Sequence, residues 1–153
     1  MVLCMDATPR LREQACFALY TASRAVIGLY RPLLDRLGLT YPQFLVLMAL
    51  WESDGRTVTD LGDALQLDSG TVSPLLKRLE AAGFVERRRG SNGDERRVTV
   101  HLTESGAALE SRGCEITQVV GGASGMSHDE LIALRDKLNE FTQAIRTRET
   151  ATE

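Results

Sequence analysis

The stretch Leu67-Asp68-Ser69-Gly70-Thr71-Val72-Ser73-Pro74-Leu75-Leu76-Lys77-Arg78-Leu79-Glu80-Ala81-Ala82-Gly83 decides the fold. It reads as a helix with two unlike faces. Asp68 or Ser69 can cap its start, because a short side-chain oxygen accepts from the orphan amides of the first turn. Leu75, Leu76 and Leu79 fall three and four residues apart on one side, and Gly83 ends the helix. The other side carries Ser69, Thr71, Ser73, Lys77 and Arg78, all small or basic. Short side chains at the N-terminal end allow close approach to a DNA groove, and the cations further along can meet phosphate. For this helix alone, a plain solvated face is an equal alternative.

Its neighbours favour the first reading. Upstream, residues 57–65 form a short helix, capped by Thr57 or Thr59, with Leu61, Ala64 and Leu65 facing inward. Gln66-Leu67-Asp68 is a tight turn into the helix above, which makes a helix-turn-helix. Downstream, residues 84–89 and 96–102 read as two strands, the second alternating cleanly at Val98, Val100 and Leu102. Gly90-Ser91-Asn92-Gly93-Asp94 joins them as a hairpin loop of turn-forming residues. A basic hairpin after a recognition helix is a wing, whose tip can carry an arginine into the minor groove.

Further out the chain is helical. Residues 9–31 carry Leu11, Ala15, Ala18, Leu19, Ala22, Val26 and Leu29 at helical spacing, and Pro32 sets an end near Tyr30 or Arg31. Thr40-Tyr41-Pro42-Gln43 starts a helix rich in Phe44, Leu45, Leu47, Met48, Leu50 and Trp51, apolar enough to be central. A further helix spans residues 105–120, interrupted or ended by Gly121-Gly122-Ala123-Ser124-Gly125. Ser127-His128-Asp129-Glu130 is a capping box for a last helix to residue 146, with Leu131, Leu134, Leu138, Phe141 and Ile145 on one stripe. The expected fold is therefore mainly α with a small β-hairpin wing. Residues 41–102 form the winged helix-turn-helix, and residues 1–40 with 103–153 form a helical dimerisation region of the same compact protomer. The long amphipathic helices are buried most simply against a second chain, and a two-fold dimer presents two recognition helices to a palindromic site. A single-chain helical bundle is the alternative.

At 153 residues with 43% hydrophobic and 25% charged residues, the chain has the composition of an ordinary globular domain. It has neither a membrane span nor a secretory signal, so a cytoplasmic place is expected. Cys4, Cys16 and Cys114 show no CxxC spacing, which argues against a disulfide framework or zinc site; no metal or cofactor is called for. The net charge of -3 divides unevenly. Residues 71–101 hold seven basic against four acidic residues, and the remainder eleven against seventeen. DNA senses the local field, so the acidic total does not exclude binding.

With these residues in place, the chain resembles the multiple-antibiotic-resistance-regulator (MarR) family of winged-helix repressors over nearly its whole length. Asp94-Glu95-Arg96 followed by Leu102-Thr103-Glu104-Ser105-Gly106 is similar to that family's signature. The closer resemblance is to its organic-hydroperoxide-resistance regulators. It rests on Gln14-Ala15-Cys16-Phe17-Ala18-Leu19-Tyr20, Ser23-Arg24, Tyr30-Arg31-Pro32-Leu33-Leu34, Leu39-Thr40-Tyr41-Pro42-Gln43, Leu50-Trp51-Glu52 and Leu67-Asp68-Ser69-Gly70-Thr71. The resemblance implies a repressor that releases DNA when organic hydroperoxides oxidise Cys16, with Tyr20, Tyr30 and Tyr41 hydrogen-bonding around the thiol. It places Ser69, Thr71, Ser73, Pro74 and Lys77 in the major groove, Arg78 on phosphate, and Arg96 in the minor groove, oriented by Asp94.

Read without the resemblance, Cys16 in an amphipathic helix is most simply a small core residue. Tyr30 lies 14 residues on, about 21 Å along a straight helix, so any contact with Cys16 has to cross a dimer interface. The oxidation product is open. One branch of the family has a resolving cysteine near the end of the helix before the last, where this chain has Gly122, and Cys114 lies about two turns earlier. Cys114, a low-molecular-weight thiol, or no partner at all are the candidates for oxidised Cys16. Two rival functions stand beside this one: a repressor of the same family released by a non-covalently bound aromatic ligand, and a thiol peroxidase. Against the peroxidase, no paired acid and base surround Cys16, and the basic wing has no use.

Overall fold

The computed structural model describes residues 10–89 and 98–150. Its helices are α1 (Ala15–Asp35), α2 (Tyr41–Glu52), α3 (Val58–Leu65), α4 (Ser69–Ala81), α5 (Glu104–Ala108), α6 (Glu110–Ala123) and α7 (His128–Thr150). Three short strands, β1 (Arg56–Thr57), β2 (Val85–Arg89) and β3 (Val98–Leu102), form an antiparallel sheet in the order β1-β3-β2. The chain divides into two compact units, Met1–Ile116 and Thr117–Glu153.

The first unit is built around α2. Gln43, Phe44, Val46, Leu47, Ala49 and Leu50 are buried, so this helix meets neighbours on most sides, as its composition predicts. Gln43 Oε1 accepts from the Thr40 amide at 2.8 Å and from the Thr40 hydroxyl at 2.9 Å, which fixes the helix start. Leu34, Leu61, Val72, Leu76, Leu79, Val85 and Val100 close the core from α1, α3, α4 and the sheet. Trp51 donates its indole N–H to the Gly106 carbonyl at 3.0 Å, tying α2 to α5. Gly106 has no room for a side chain, since a Cβ there would lie 2.0 Å from the Phe84 carbonyl oxygen.

Local rules set most boundaries, and packing overrides some. Helix α1 continues through Pro32 to Asp35 instead of ending near Tyr30 or Arg31. Proline inside a helix costs about 3 kcal/mol; Leu34, 1% exposed in the core, makes the extra turn worth that cost. The helix closes with a Schellman pair, Leu39 N–H to Leu34 carbonyl and Gly38 N–H to Asp35 carbonyl, with Gly38 at φ 68°. At its other end α1 starts at Ala15, not at residue 9, after a 3-10 turn over Leu11–Glu13. Leu11 is 61% exposed, and an unpacked helix end is marginal in water. Strand β1, pairing Arg56 with Val100 and Thr57 with Thr99, has no counterpart in the sequence reading because two residues show no alternation. The expected helix over residues 105–120 is two, α5 and α6, meeting at Leu109.

In the second unit the end of α6 turns back at Gly125, φ 69°, into α7. The expected capping box is present: Glu130 Oε2 accepts from the Ser127 amide at 2.7 Å, and Ser127 Oγ from the Glu130 amide at 3.3 Å. Helix α7 runs to Thr150, one turn past the expected end.

Candidate functional site

Helices α3 and α4 meet through a tight turn. Gln66 adopts a left-handed conformation at φ 58°, and the Leu67 amide returns to the Gly62 carbonyl at 2.9 Å. A Cβ on Gly62 would lie 2.8 Å from the Leu67 carbonyl oxygen, so this close turn needs glycine there. Asp68 is the cap: its carboxylate accepts from the Thr71 amide at 2.9 Å and the Thr71 hydroxyl at 2.8 Å. The Thr71 hydroxyl and amide hold the Asp68 carboxyl below the usual carboxylate range. It therefore keeps its charge at the positive end of the helix.

The two faces of α4 separate cleanly. Val72, Leu75, Leu76 and Leu79 are buried, whereas Ser69, Thr71, Ser73, Pro74, Lys77 and Arg78 are exposed. Strands β2 and β3 follow, pairing from Val85 with Leu102 to Arg89 with Val98. Arg87 is drawn to Glu80, whose carboxylate pairs with its guanidinium at 3.4 Å and accepts from its amide at 3.3 Å. Arg88 donates to Glu86 at 2.7 Å. Asp94 and Arg96, assigned to the wing tip, lie outside the described residues, as does Cys4.

The thiol region is on α1. Cys16 is exposed in the first turn of that helix. Tyr20, 58% exposed, receives a hydrogen bond on its hydroxyl from Arg24 at 3.3 Å, and the Arg24 guanidinium lies 5.5 Å from its ring centre. Tyr30 and Tyr41 are together, ring centres 4.8 Å apart, with Phe44 5.8 Å from Tyr30. Burial pushes the Tyr30 phenol up, with Tyr41 adding to it, and burial pushes Tyr41 up, so both remain O–H donors at neutral pH. Because α1 is one unbroken helix, Tyr30 stands about 21 Å along the axis from Cys16 of its own chain. One chain thus brings Tyr30 and Tyr41 together, and leaves Cys16 and Tyr20 apart from them. Beside Tyr41 an open cavity of about 220 Å³ is lined by Ile27, Arg31, Asp35, Leu39, Thr40 and Pro42. Cys114 is exposed on α6. Among the described residues no cluster of histidine, cysteine or carboxylate side chains is arranged to hold a metal ion.

One polar group escapes a reading of the sequence. His101 on β3 meets Asp54 from the turn after α2 at 3.1 Å and Thr99 at 3.0 Å. His101 and Asp54 are 47 positions apart, and nothing periodic in the sequence joins them.

Comparison with known proteins agrees with this architecture. Residues 28–111 match the model of the transcriptional regulator SarA/Rot family. The organic hydroperoxide resistance transcriptional regulator of Bacillus subtilis is 43% identical over 89% of this chain and 92% of its own. The HTH-type transcriptional regulator TtmR of Methylorubrum extorquens is 45% identical over 97% of this chain and 75% of its own. Among solved structures, reduced AbfR bound to DNA, a Staphylococcus epidermidis protein, superposes with a TM-score of 0.73 and 34% identity, covering 89% of this chain and 94% of that one. The exposed recognition helix, the sheet beside it and these relatives lead to one conclusion: the chain belongs to the SarA/Rot family of MarR-like winged-helix proteins and is a DNA-binding transcriptional regulator, not an enzyme.

Proposed function

We propose that this regulator is a homodimeric repressor that senses organic hydroperoxides through Cys16 and then releases a palindromic operator, acting in the cytoplasm. The observation that carries the reading is an exposed thiol, Cys16, about four turns along α1 from Tyr30, which forms a half-buried, protonated phenol pair with Tyr41 of α2. Val26 and Leu29 lie exposed between them. A second copy packed on this face covers the apolar residues and brings the partner's thiol to Tyr30 and Tyr41, with Tyr20 beside it. Residues 1–40 and 103–153 serve as the dimerisation region and residues 41–102 as the reading head. Two relatives support the redox part. One is a regulator of organic hydroperoxide resistance. AbfR has been crystallised reduced, overoxidised and in a disulfide form.

The chemistry balances simply. The Cys16 thiolate attacks the peroxide O–O bond and, with one proton, yields sulfenic acid and an alcohol. The sulfenic acid then condenses with a thiol, releasing water and forming a disulfide, or oxidises further. Cys114 and a low-molecular-weight thiol are the candidate partners. On DNA, Ser69, Thr71, Ser73, Pro74 and Lys77 read the major groove and Arg78 holds phosphate. Arg96, oriented by Asp94, enters the minor groove.

The test is gel-shift binding to a palindromic fragment from upstream DNA, with and without cumene hydroperoxide. Wild type should lose affinity at least about tenfold on oxidation, a change of about 1.4 kcal/mol. Cys16→Ser should stay bound. Release of both proteins, or of neither, rejects Cys16 as the switch.

A further inference from the structure

We propose that Asp54, His101 and Thr99 form a proton-driven hydrogen-bond relay that ties β3 to β2 at Arg88 and tunes DNA affinity with pH. The relay stands apart from the thiol chemistry and rests on the proposed contact of the wing with DNA. Asp54 is anchored first, accepting from the Leu102 amide at 2.8 Å with one carboxylate oxygen and facing His101 Nδ1 with the other at 3.1 Å. Gly55, at φ 75°, lets the turn pass so close that a Cβ there would lie 2.9 Å from His101 Cε1. Desolvation acts to raise the Asp54 carboxyl, and the bonds from Leu102, His101 and Gly55 outweigh it and hold it below its usual range. The carboxylate is therefore an acceptor only, and His101 Nδ1 has to be the donor.

That fixes the rest of the ring. In neutral His101 the proton sits on Nδ1, so Nε2 accepts, and the group facing it at 3.0 Å, the Thr99 hydroxyl, donates its single hydrogen there. The same hydroxyl lies 3.4 Å from the Arg88 carbonyl on β2 and cannot donate to both. When His101 takes up a proton, Nε2 becomes a donor to Thr99, and the hydroxyl hydrogen turns to the Arg88 carbonyl. No heavy atom has to move. Among the described residues Arg88 and Thr99 are the last pair but one on the ladder, next to Arg89 and Val98. The added bond thus joins β2 and β3 beside the segment proposed above to enter the minor groove.

The charges around the ring are Asp54 from the turn, Glu86 directly opposite His101 on β2, and Arg88 engaged with Glu86. On β1, Arg56 is held by the Ser53 carbonyl and Glu52. Asp54, held below its usual range, stays charged through the interval from about pH 5.5 to 8 in which a histidine side chain ordinarily changes its charge. The bond to Arg88 exists in the cation, so DNA affinity should be higher at acid pH and fall as pH rises.

The experiment measures affinity for a palindromic operator fragment at constant ionic strength from pH 5.5 to 8, with the full chain under reducing conditions. Wild type should bind about three- to fivefold more tightly at the acid end, the size of one neutral hydrogen bond. His101→Gln and Thr99→Val should lose that step, and His128→Gln, altering the other histidine of the chain, should keep it. A flat wild-type profile, a step that survives in Thr99→Val, or its loss in His128→Gln overturns the relay. Nitrogen-15 shifts of the wild-type imidazole give a check that needs no variant: a neutral ring protonated at Nε2 also overturns it.

Discussion

At the scale of single residues, Tyr30 is the informative position. Its phenol is half-buried against Tyr41 and Phe44 and stays protonated because burial raises it. A protonated phenol can donate a hydrogen bond to a thiolate. Losing such a donor, while keeping the ring that packs on Tyr41, separates chemistry from structure. Tyr30→Phe should therefore leave DNA binding intact and slow oxidation of Cys16 by cumene hydroperoxide about tenfold, the rate factor carried by about 1.4 kcal/mol. Stopped-flow consumption of the thiol measures it. An unchanged rate removes Tyr30 from the sensing pocket. Helical spacing already sets Tyr30 about 21 Å from Cys16 of its own chain, whereas the 4.8 Å pairing with Tyr41 could not be read from the sequence because it depends on α1 folding back against α2.

At the scale of the element, α4 has a buried face and an exposed face proposed to meet DNA, and its variants should divide accordingly. Leu76 is fully buried among α2, α3 and the sheet. Leu76→Ala should cost about 2–5 kcal/mol of stability, read by denaturant unfolding, through lost contacts and the cavity left behind. Lys77, the next residue, is exposed. Lys77→Ala should change stability by less than about 0.5 kcal/mol, and should lower the slope of log affinity against log salt by about one, the signature of one lost phosphate contact. Equal salt slopes in the two proteins would take Lys77 off the DNA. This separation was legible in the sequence because a period of three and four residues is local information. The sequence misled where a local rule met tertiary packing: Pro32 signals a helix end, yet Leu34 belongs to the core and carries the helix on. Two-residue β1 and the Asp54–His101 bridge left no mark at all, because each pairs segments more than forty residues apart.

At the scale of the whole molecule, the question is what covers the apolar residues that the chain leaves in water. On α1, Val26 and Leu29 are 42% and 47% exposed. On α7, Leu134, Leu138, Phe141 and Ile145 are each exposed by about that much. A stripe at helical spacing costs hydration free energy when it stands open, and the proposed two-fold partner would take the stripe of α1 out of water. The proposed dimer would also let a protein of net charge -3 hold DNA, because two α4 helices one turn of duplex apart would present their basic residues together. Sedimentation equilibrium at low micromolar concentration should give about twice the chain mass of 16.8 kDa. Leu29→Asp should shift it towards the monomer and weaken binding to a palindromic fragment by about a hundredfold or more, since the second half-site is then no longer tethered to the first. Binding to a single half-site should be nearly unchanged, because α4 is untouched. A wild type that sediments as a monomer, or a Leu29→Asp variant that stays dimeric with full operator affinity, would move the stripe of α1 out of the subunit interface and separate Cys16 from the phenols it is proposed to meet.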